Sequence, residues 1–138
     1  MSSRVSKNLR RQVERRAADG CEYCRIAIED TYFGGEIDHI ISLKHRGRTE
    51  LENLAFACQP CNRNKGSDLG SLPESSKTLV RFFNPRTDNW SEHFRVSEDA
   101  RIEPLTEIGE VTAIIFGFND SERIAERRGL IKIGRYRT

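Results

Sequence analysis

The stretch GEIDHIISLKHRGRTELENLAFACQPCN, residues 35–62, decides how this chain folds. It includes most of a candidate strand over residues 32–41, in which Phe33, Ile37 and Ile41 are apolar and Gly34-Gly35 interrupt the pattern. A polar loop over 44–53 follows, and the apolar residues 54–57 form the returning strand. Two short strands joined by such a loop predict a β-hairpin with a long tip. The polar residues that follow, 58 to about 68, predict a short helix. We therefore predict a β-β-α unit.

Two adjacent residues of the first strand, Asp38 and His39, are the strongest candidates for chemistry. Neighbouring side chains on a regular strand lie on opposite faces of the sheet. Both can serve one site if the strand is bulged or bent, and Gly34 and Gly35 just upstream favour such a distortion. We therefore expect a bent or bulged first strand.

Length and composition set the class of protein. With 138 residues there is room for one ordinary domain, or a small domain and an extension. The sequence is 36% hydrophobic and 32% charged, and it has neither a membrane-length apolar run nor the apolar core of a signal peptide. We therefore expect a cytoplasmic protein that does not enter membranes.

The net charge of +2 is small, but its distribution is uneven. Basic residues crowd the first helix and the tail, which favours a polyanionic partner. Those of the tail are Arg123, Arg127, Arg128, Lys132, Arg135 and Arg137.

The spacing of apolar and turn-forming residues predicts the elements outside the β-β-α unit. An apolar residue at every fourth position predicts a helix over residues 4–18, and a Ser-, Gly- and Pro-rich segment at 67–76 predicts a linker. Beyond it we predict a hairpin over 95–102, a helix near 108–118 and a final basic helix that begins near Asn119. The β-branched residues within 108–118 leave a strand as the alternative there. We assign residues 1–70 to the core domain and residues 71–138 to an extension of unknown role.

Two cysteine pairs flank the hairpin. Cys21, Cys24, Cys58 and Cys61 form two Cys-x-x-Cys knuckles whose separation is typical of a tetrahedral zinc site. Four thiolates would leave no open coordination position, so this zinc would be structural. Free buried thiols or a redox pair are the alternatives. A zinc deaminase is excluded, because it needs His-x-Glu and Ile40-Ile41 follow His39.

Six short motifs in this order resemble the HNH endonucleases. They are Cys21-x-x-Cys24, Asp38-His39-Ile40, Asn53-Leu54, Cys58-x-x-Cys61, Asn62 and Lys65-Gly66, and together they span about residues 21–68. The resemblance implies an α+β fold: a ββα-metal, treble-clef-like core with an N-terminal helix and a small C-terminal α+β extension. It also implies a hydrolase that cleaves DNA.

The residue types suit that chemistry. Phosphodiester hydrolysis needs a deprotonated water and a cation near the developing negative charge. An imidazole such as that of His39 is mostly neutral at pH 7 and can accept the proton of water. Asp38 and Asn62 offer hard oxygen ligands, which favour Mg²⁺ or Mn²⁺.

Two asparagines take their roles from the resemblance. Asn62 stands at the third signature position, where the family has His or Asn, and Asn53 matches the central Asn that holds the loop and orients the general base. An ordinary turn residue at Asn53 and a helix cap at Asn62 remain open alternatives.

Basic residues around this constellation are expected to bind phosphates whatever the base sequence. They are Lys44, Arg46, Arg48, Arg63 and Lys65. His45, in the same basic loop, is left outside the catalytic set. A protein partner that directs the nuclease could bind the C-terminal extension. The alternative function is a non-catalytic, zinc-stapled module that binds nucleic acid.

Overall fold

The computed structural model of the protein describes residues 4–136, so Arg137 of the basic tail lies outside the described residues. The chain divides into two compact units, with the boundary between Leu69 and Gly70. The first unit contains α1 (Lys7–Arg16), β1 (Gly35–His39), β2 (Leu54–Cys58) and α2 (Gln59–Lys65). Short 3₁₀ turns occur at Ile28–Asp30, Leu43–His45 and Leu51–Asn53. The predicted β-β-α order and the α+β class are confirmed.

The hairpin is regular. β1 and β2 pair antiparallel, from Gly35 opposite Cys58 to His39 opposite Leu54, with no residue skipped. The predicted bulge is therefore wrong for β1. Gly35 has another reason to be glycine, since a Cβ atom there would lie 2.5 Å from the ring of Phe56.

Helix α1 packs on β2. Val13 is fully buried against Leu54 and Phe56, and Leu9 and Ala17 pack at the edge of this cluster. These positions are the predicted apolar stripe, although the helix is shorter than the predicted 4–18.

Two arginines of α1 fasten the helix to the hairpin. Arg10 donates to the carbonyl of Gly35, and Arg16 donates to the carbonyls of Leu51 and Leu54. Part of the basic face of α1 is therefore engaged with the protein itself.

The second unit is a small α+β assembly. Its elements are β3 (Gly70–Ser71), β4 (Val80–Arg81), α3 (Trp90–His93), β5 (Phe94–Val96), β6 (Ile102–Pro104), α4 (Glu107–Phe116) and α5 (Ser121–Lys132). β3 pairs with β4 and β5 pairs with β6, both antiparallel. The segment predicted as a linker thus contains β3. Buried aromatic side chains form the core of this unit: Phe82, Phe83, Trp90, Phe94, Phe116 and Phe118.

The predicted hairpin and both predicted helices of this region are confirmed. No helix within residues 4–136 is long and apolar enough to span a bilayer.

Candidate active site and metal centre

The four cysteines meet at one point between the first knuckle and the start of α2. All four are buried, and their Sγ atoms lie within 4.8 Å of one another. The Sγ atoms of Cys24 and Cys58 are 3.7 Å apart. A tetrahedral zinc with Zn–S bonds of about 2.3 Å places its sulfurs about 3.8 Å apart. The cluster therefore fits a zinc ion.

The chemistry of the cluster agrees with that fit. Hydrogen bonds with Cys21 and Cys24 raise the pKa of Cys58, and burial raises the pKa of Cys61. Four crowded sulfurs in an apolar setting can ionise together only around a cation. A zinc-thiolate site would meet that need, and it would have no free position for a substrate.

A second candidate site lies beside the end of β1. An open cleft of about 290 Å³ is lined by Asp38, His39 and Asn62 together with residues of the following loop and of the end of α2. The cleft surrounds the carboxyl end of β1, with Ile37, Asp38 and His39 all lining it. Both Asp38 and His39 therefore border one cleft at the end of a strand that has no bulge.

The imidazole of His39 is half-buried and held at one nitrogen. Its Nε2 lies 3.0 Å from Oγ1 of Thr49. Among residues 4–136, Nδ1 of His39 has no protein hydrogen-bond partner. In the tautomer protonated at Nε2, this nitrogen can accept a proton. Burial lowers the pKa of His39, with Asp38 acting in the opposite direction. The environment thus favours the neutral imidazole.

The carboxylate of Asp38 is 3% exposed and held at both oxygens. Oδ2 accepts a hydrogen bond from the hydroxyl of Tyr23 at 2.6 Å, and Oδ1 accepts from Nζ of Lys65 at 3.2 Å. Burial raises the pKa of Asp38, while Lys65 and Tyr23 oppose that shift. Each carboxylate oxygen has more than one lone pair, so both can still coordinate a cation.

Asn53 joins three backbone groups of the loop after β1. Its Oδ1 accepts from the N–H of Ile41 at 2.8 Å, and its Nδ2 donates to the carbonyls of Ile41 and Arg48, each at 2.9 Å. This loop carries Thr49, which contacts His39. Asn53 therefore does not line the cleft but fixes the backbone of a loop that does.

Asn62 is half-buried on the first turns of α2 and lines the cleft. With Asp38 it brings a carboxylate and an amide to the same cleft. These are the oxygen donors that fit Mg²⁺ or Mn²⁺, which complete their coordination with water.

The predicted phosphate contacts divide into two groups. Lys44, Arg46, Arg48 and Arg63 are exposed, and their charges face solvent. Lys65 is 2% exposed, and its ammonium group donates to Asp38 and, at 2.9 Å, to the carbonyl of His39. The prediction that Lys65 grips phosphate is wrong, because its side chain lies inside the protein.

A sequence signal for the burial of Lys65 exists. Lys65 lies four residues after Cys61 on one helix, and residues at that spacing share a helix face. A buried zinc ligand at Cys61 therefore places Lys65 inside. Tyr23 has no such signal, and sequence reasoning missed it.

The fold and the site define a class of domain. A β-β-α unit closed by four cysteines, with Asp-His on its first strand and Asn on its helix, is consistent with the ββα-metal fold.

Comparison with known families agrees with that class. Residues 21–68 match the family model described as HNH endonuclease, which confirms the resemblance for that segment. The match covers less than half of the chain. No curated protein and no solved structure matches the chain.

Proposed function

We propose that this protein is a metal-dependent endonuclease of the HNH type that hydrolyses phosphodiester bonds in DNA. The observation that carries the proposal is that Asp38, His39 and Asn62 line one cleft beside an exposed basic loop. The family match over residues 21–68 supports it.

His39 is the proposed general base. Its neutral imidazole accepts the proton of the attacking water, while Thr49 holds the ring at Nε2. Asn53 supports this arrangement from behind, because it fixes the loop that carries Thr49.

Asp38 and Asn62 are the residues that would hold Mg²⁺ or Mn²⁺. When bound, such a cation stabilises the negative charge that develops on the phosphate and the leaving oxygen. The four cysteines would hold a separate zinc that supports the fold.

Four exposed basic residues are proposed to bind the substrate: Lys44, Arg46, Arg48 and Arg63. Contacts of lysine and arginine with phosphate oxygens position a duplex without reading its bases. Low sequence preference follows from this set.

Cleavage of a supercoiled plasmid tests the proposal. Zinc-loaded protein should cut with Mg²⁺ or Mn²⁺, stop with a chelator and recover when Mg²⁺ is restored, with the zinc content measured in each state. Asp38→Asn should abolish cutting. Asp68→Asn, which changes an exposed carboxylate outside the cleft lining, should leave cutting intact.

One observation favours the alternative, a zinc-stapled nucleic-acid-binding module. Both oxygens of Asp38 already accept hydrogen bonds, as they would in a purely structural role. DNA binding by zinc-loaded protein that never cuts with either ion would replace the nuclease proposal with this one.

A further inference from the structure

The ammonium group of Lys65 is placed in the protein interior at the end of β1. It donates hydrogen bonds to Oδ1 of Asp38 at 3.2 Å and to the carbonyl of His39 at 2.9 Å. A buried ammonium is costly unless its charge is paired and its protons are donated. Nζ of Lys65 therefore donates hydrogen bonds to both residues of the Asp-His pair.

Tyr23 holds the other side of the same carboxylate. It is fully buried, and its hydroxyl donates to Oδ2 of Asp38 at 2.6 Å. The two carboxylate oxygens of Asp38 are thus held by two donors from different parts of the fold.

Both donors stand next to candidate zinc ligands. Tyr23 lies between Cys21 and Cys24, and Lys65 follows Cys61 by one helical turn. A zinc ion held by these cysteines would fix the backbone from which each donor reaches Asp38. Lys65 also belongs to the helix that carries Asn62.

We infer that Tyr23 and Lys65 form a clamp that orients the carboxylate of Asp38 for a divalent cation, and that both are positioning residues of the proposed nuclease. The inference rests on the proposed function. With both oxygens held, the carboxylate cannot rotate, and its remaining lone pairs keep a fixed direction. The bond from Lys65 to the carbonyl of His39 fixes the backbone of the general base as well.

A purely structural role for the same bonds is the competing explanation. A buried ion pair is by itself weak evidence of a contribution to stability, because desolvation offsets the attraction between the charges. Residues that orient a metal ligand have a different signature, since their loss weakens metal binding or activity by roughly 10- to 100-fold.

Direct measurement of Mn²⁺ binding separates the two roles. Zinc-loaded Tyr23→Phe and Lys65→Met should bind Mn²⁺ roughly 10- to 100-fold more weakly than wild type in calorimetry. In DNA cleavage, kcat should fall while KM for DNA stays near the wild-type value. In an Asp38→Asn background, Tyr23→Phe should change Mn²⁺ affinity no further, because the hydroxyl acts through that carboxylate.

Thr112→Val is the matched control. It removes two hydrogen bonds of a buried hydroxyl in the second unit, where Oγ1 of Thr112 accepts from the N–H of Phe83 at 2.8 Å and donates to the carbonyl of Ile108 at 2.7 Å. It should lower the melting temperature and leave Mn²⁺ affinity and kcat unchanged.

The clamp is overturned if both clamp variants behave like Thr112→Val, with lower melting temperature and wild-type Mn²⁺ affinity and kcat. It is equally overturned if wild-type protein binds no Mn²⁺. If Lys65→Met does not fold, Tyr23→Phe, which removes a single oxygen atom, decides the question. If wild type binds Mn²⁺ but never cuts DNA, the nuclease proposal fails and the Mn²⁺ affinities still decide the clamp.

Discussion

At the scale of single residues, Asn53 shows how one side chain supports a site that it does not line. The three side-chain hydrogen bonds of Asn53 join the backbone at Ile41, before the basic loop tip, and at Arg48, its last basic residue. Thr49, the partner of His39, follows directly. The position of the imidazole therefore depends on Asn53.

We predict that Asn53→Ala lowers the free energy of unfolding by about 1 kcal/mol, since hydrogen bonds in a partly exposed loop contribute modestly. Cleavage should fall by up to about 100-fold, because a displacement of about 1 Å at a catalytic group can cost that much. Chemical denaturation and plasmid cleavage measure the two effects.

Asn119→Ala provides the control. Asn119 makes the same kind of paired contact in the second unit, accepting from the N–H of Ile102 and donating to its carbonyl. This variant should lose stability and keep cleavage. If Asn53→Ala cleaves the plasmid at the wild-type rate, the proposal that Asn53 positions His39 through the loop is contradicted.

The carboxylate of Asp88 is held by contacts within the second unit. It accepts two hydrogen bonds from Arg81, at 2.7 and 3.0 Å, and one from the N–H of Asn84 at 2.8 Å. These contacts, those of Arg81 first, lower the pKa of Asp88. The carboxylate closes the turn after β4.

A lowered pKa in the folded state predicts an acid-sensitive contribution to stability. It is present above the unfolded-state pKa of about 3.9 and is lost as the pH falls through the lower folded-state value. Because Arg81 is half-exposed, the contribution should be about 1 kcal/mol or less. Denaturation followed by Trp90 fluorescence should show wild type more stable than Asp88→Asn at pH 7, with the gap closing below pH of about 3. A gap independent of pH would contradict this account.

Residue types and their spacing were sufficient to predict the cysteine cluster, but they could not give side-chain partners. The exposed Lys44 and Arg63 agree with the sequence, while Lys65 differs because the face of α2 on which it lies decides its environment. The Tyr23 contact joins residues 15 positions apart and depends on tertiary packing.

At the scale of elements, the start of β1 is governed by steric fit to β2. Gly34 adopts a left-handed φ of 81°, which favours glycine, and Gly35 lies directly against the ring of Phe56. Backbone conformation and the Phe56 ring, and not a bulge, therefore account for these two glycines.

We predict that Gly35→Ala destabilises the protein by about 1–3 kcal/mol, because a methyl group must displace the buried Phe56 ring. Gly129→Ala is the control, since a Cβ at this position in α5 meets no atom within 4 Å. That change should stabilise the helix by about 0.5–1 kcal/mol. Equal stability of the two variants in chemical denaturation would contradict this prediction, because it would show that the Phe56 ring can move aside at no cost.

Periodicity predicted the helices of the second unit well. Its β-branched residues left a strand reading open for residues 108–118, yet Thr106 caps α4 through Gly109 and Gly117 ends it in a left-handed conformation. Caps at both ends therefore decided in favour of a helix. The two-residue strands β3 and β4 carry too little pattern to be predicted.

At the scale of the whole molecule, each unit has its own apolar core, and the candidate zinc site belongs to the first. The functional assignment of residues 1–70 and 71–138 as separate domains remains a prediction. It can be tested because the single tryptophan of the sequence, Trp90, is buried in the second unit.

Removal of zinc should unfold the first unit, because four buried sulfurs then lose the cation that holds them together. Amide hydrogen exchange should rise across residues 4–69, while Trp90 keeps the blue-shifted emission of a buried indole. Trp90 emission that shifts to the red as zinc is lost would contradict the assignment of separate domains.

The most direct measurement of the central claim is plasmid cleavage by zinc-loaded His39→Ala beside His93→Ala, with Mg²⁺ or Mn²⁺ present. His93 is the matched control, since its Nδ1 also lies against a threonine hydroxyl, that of Thr106 at 2.6 Å in the second unit. The account predicts that wild type and His93→Ala cut the plasmid and that His39→Ala, with its zinc intact, does not. Cleavage by His39→Ala at the wild-type rate would contradict it.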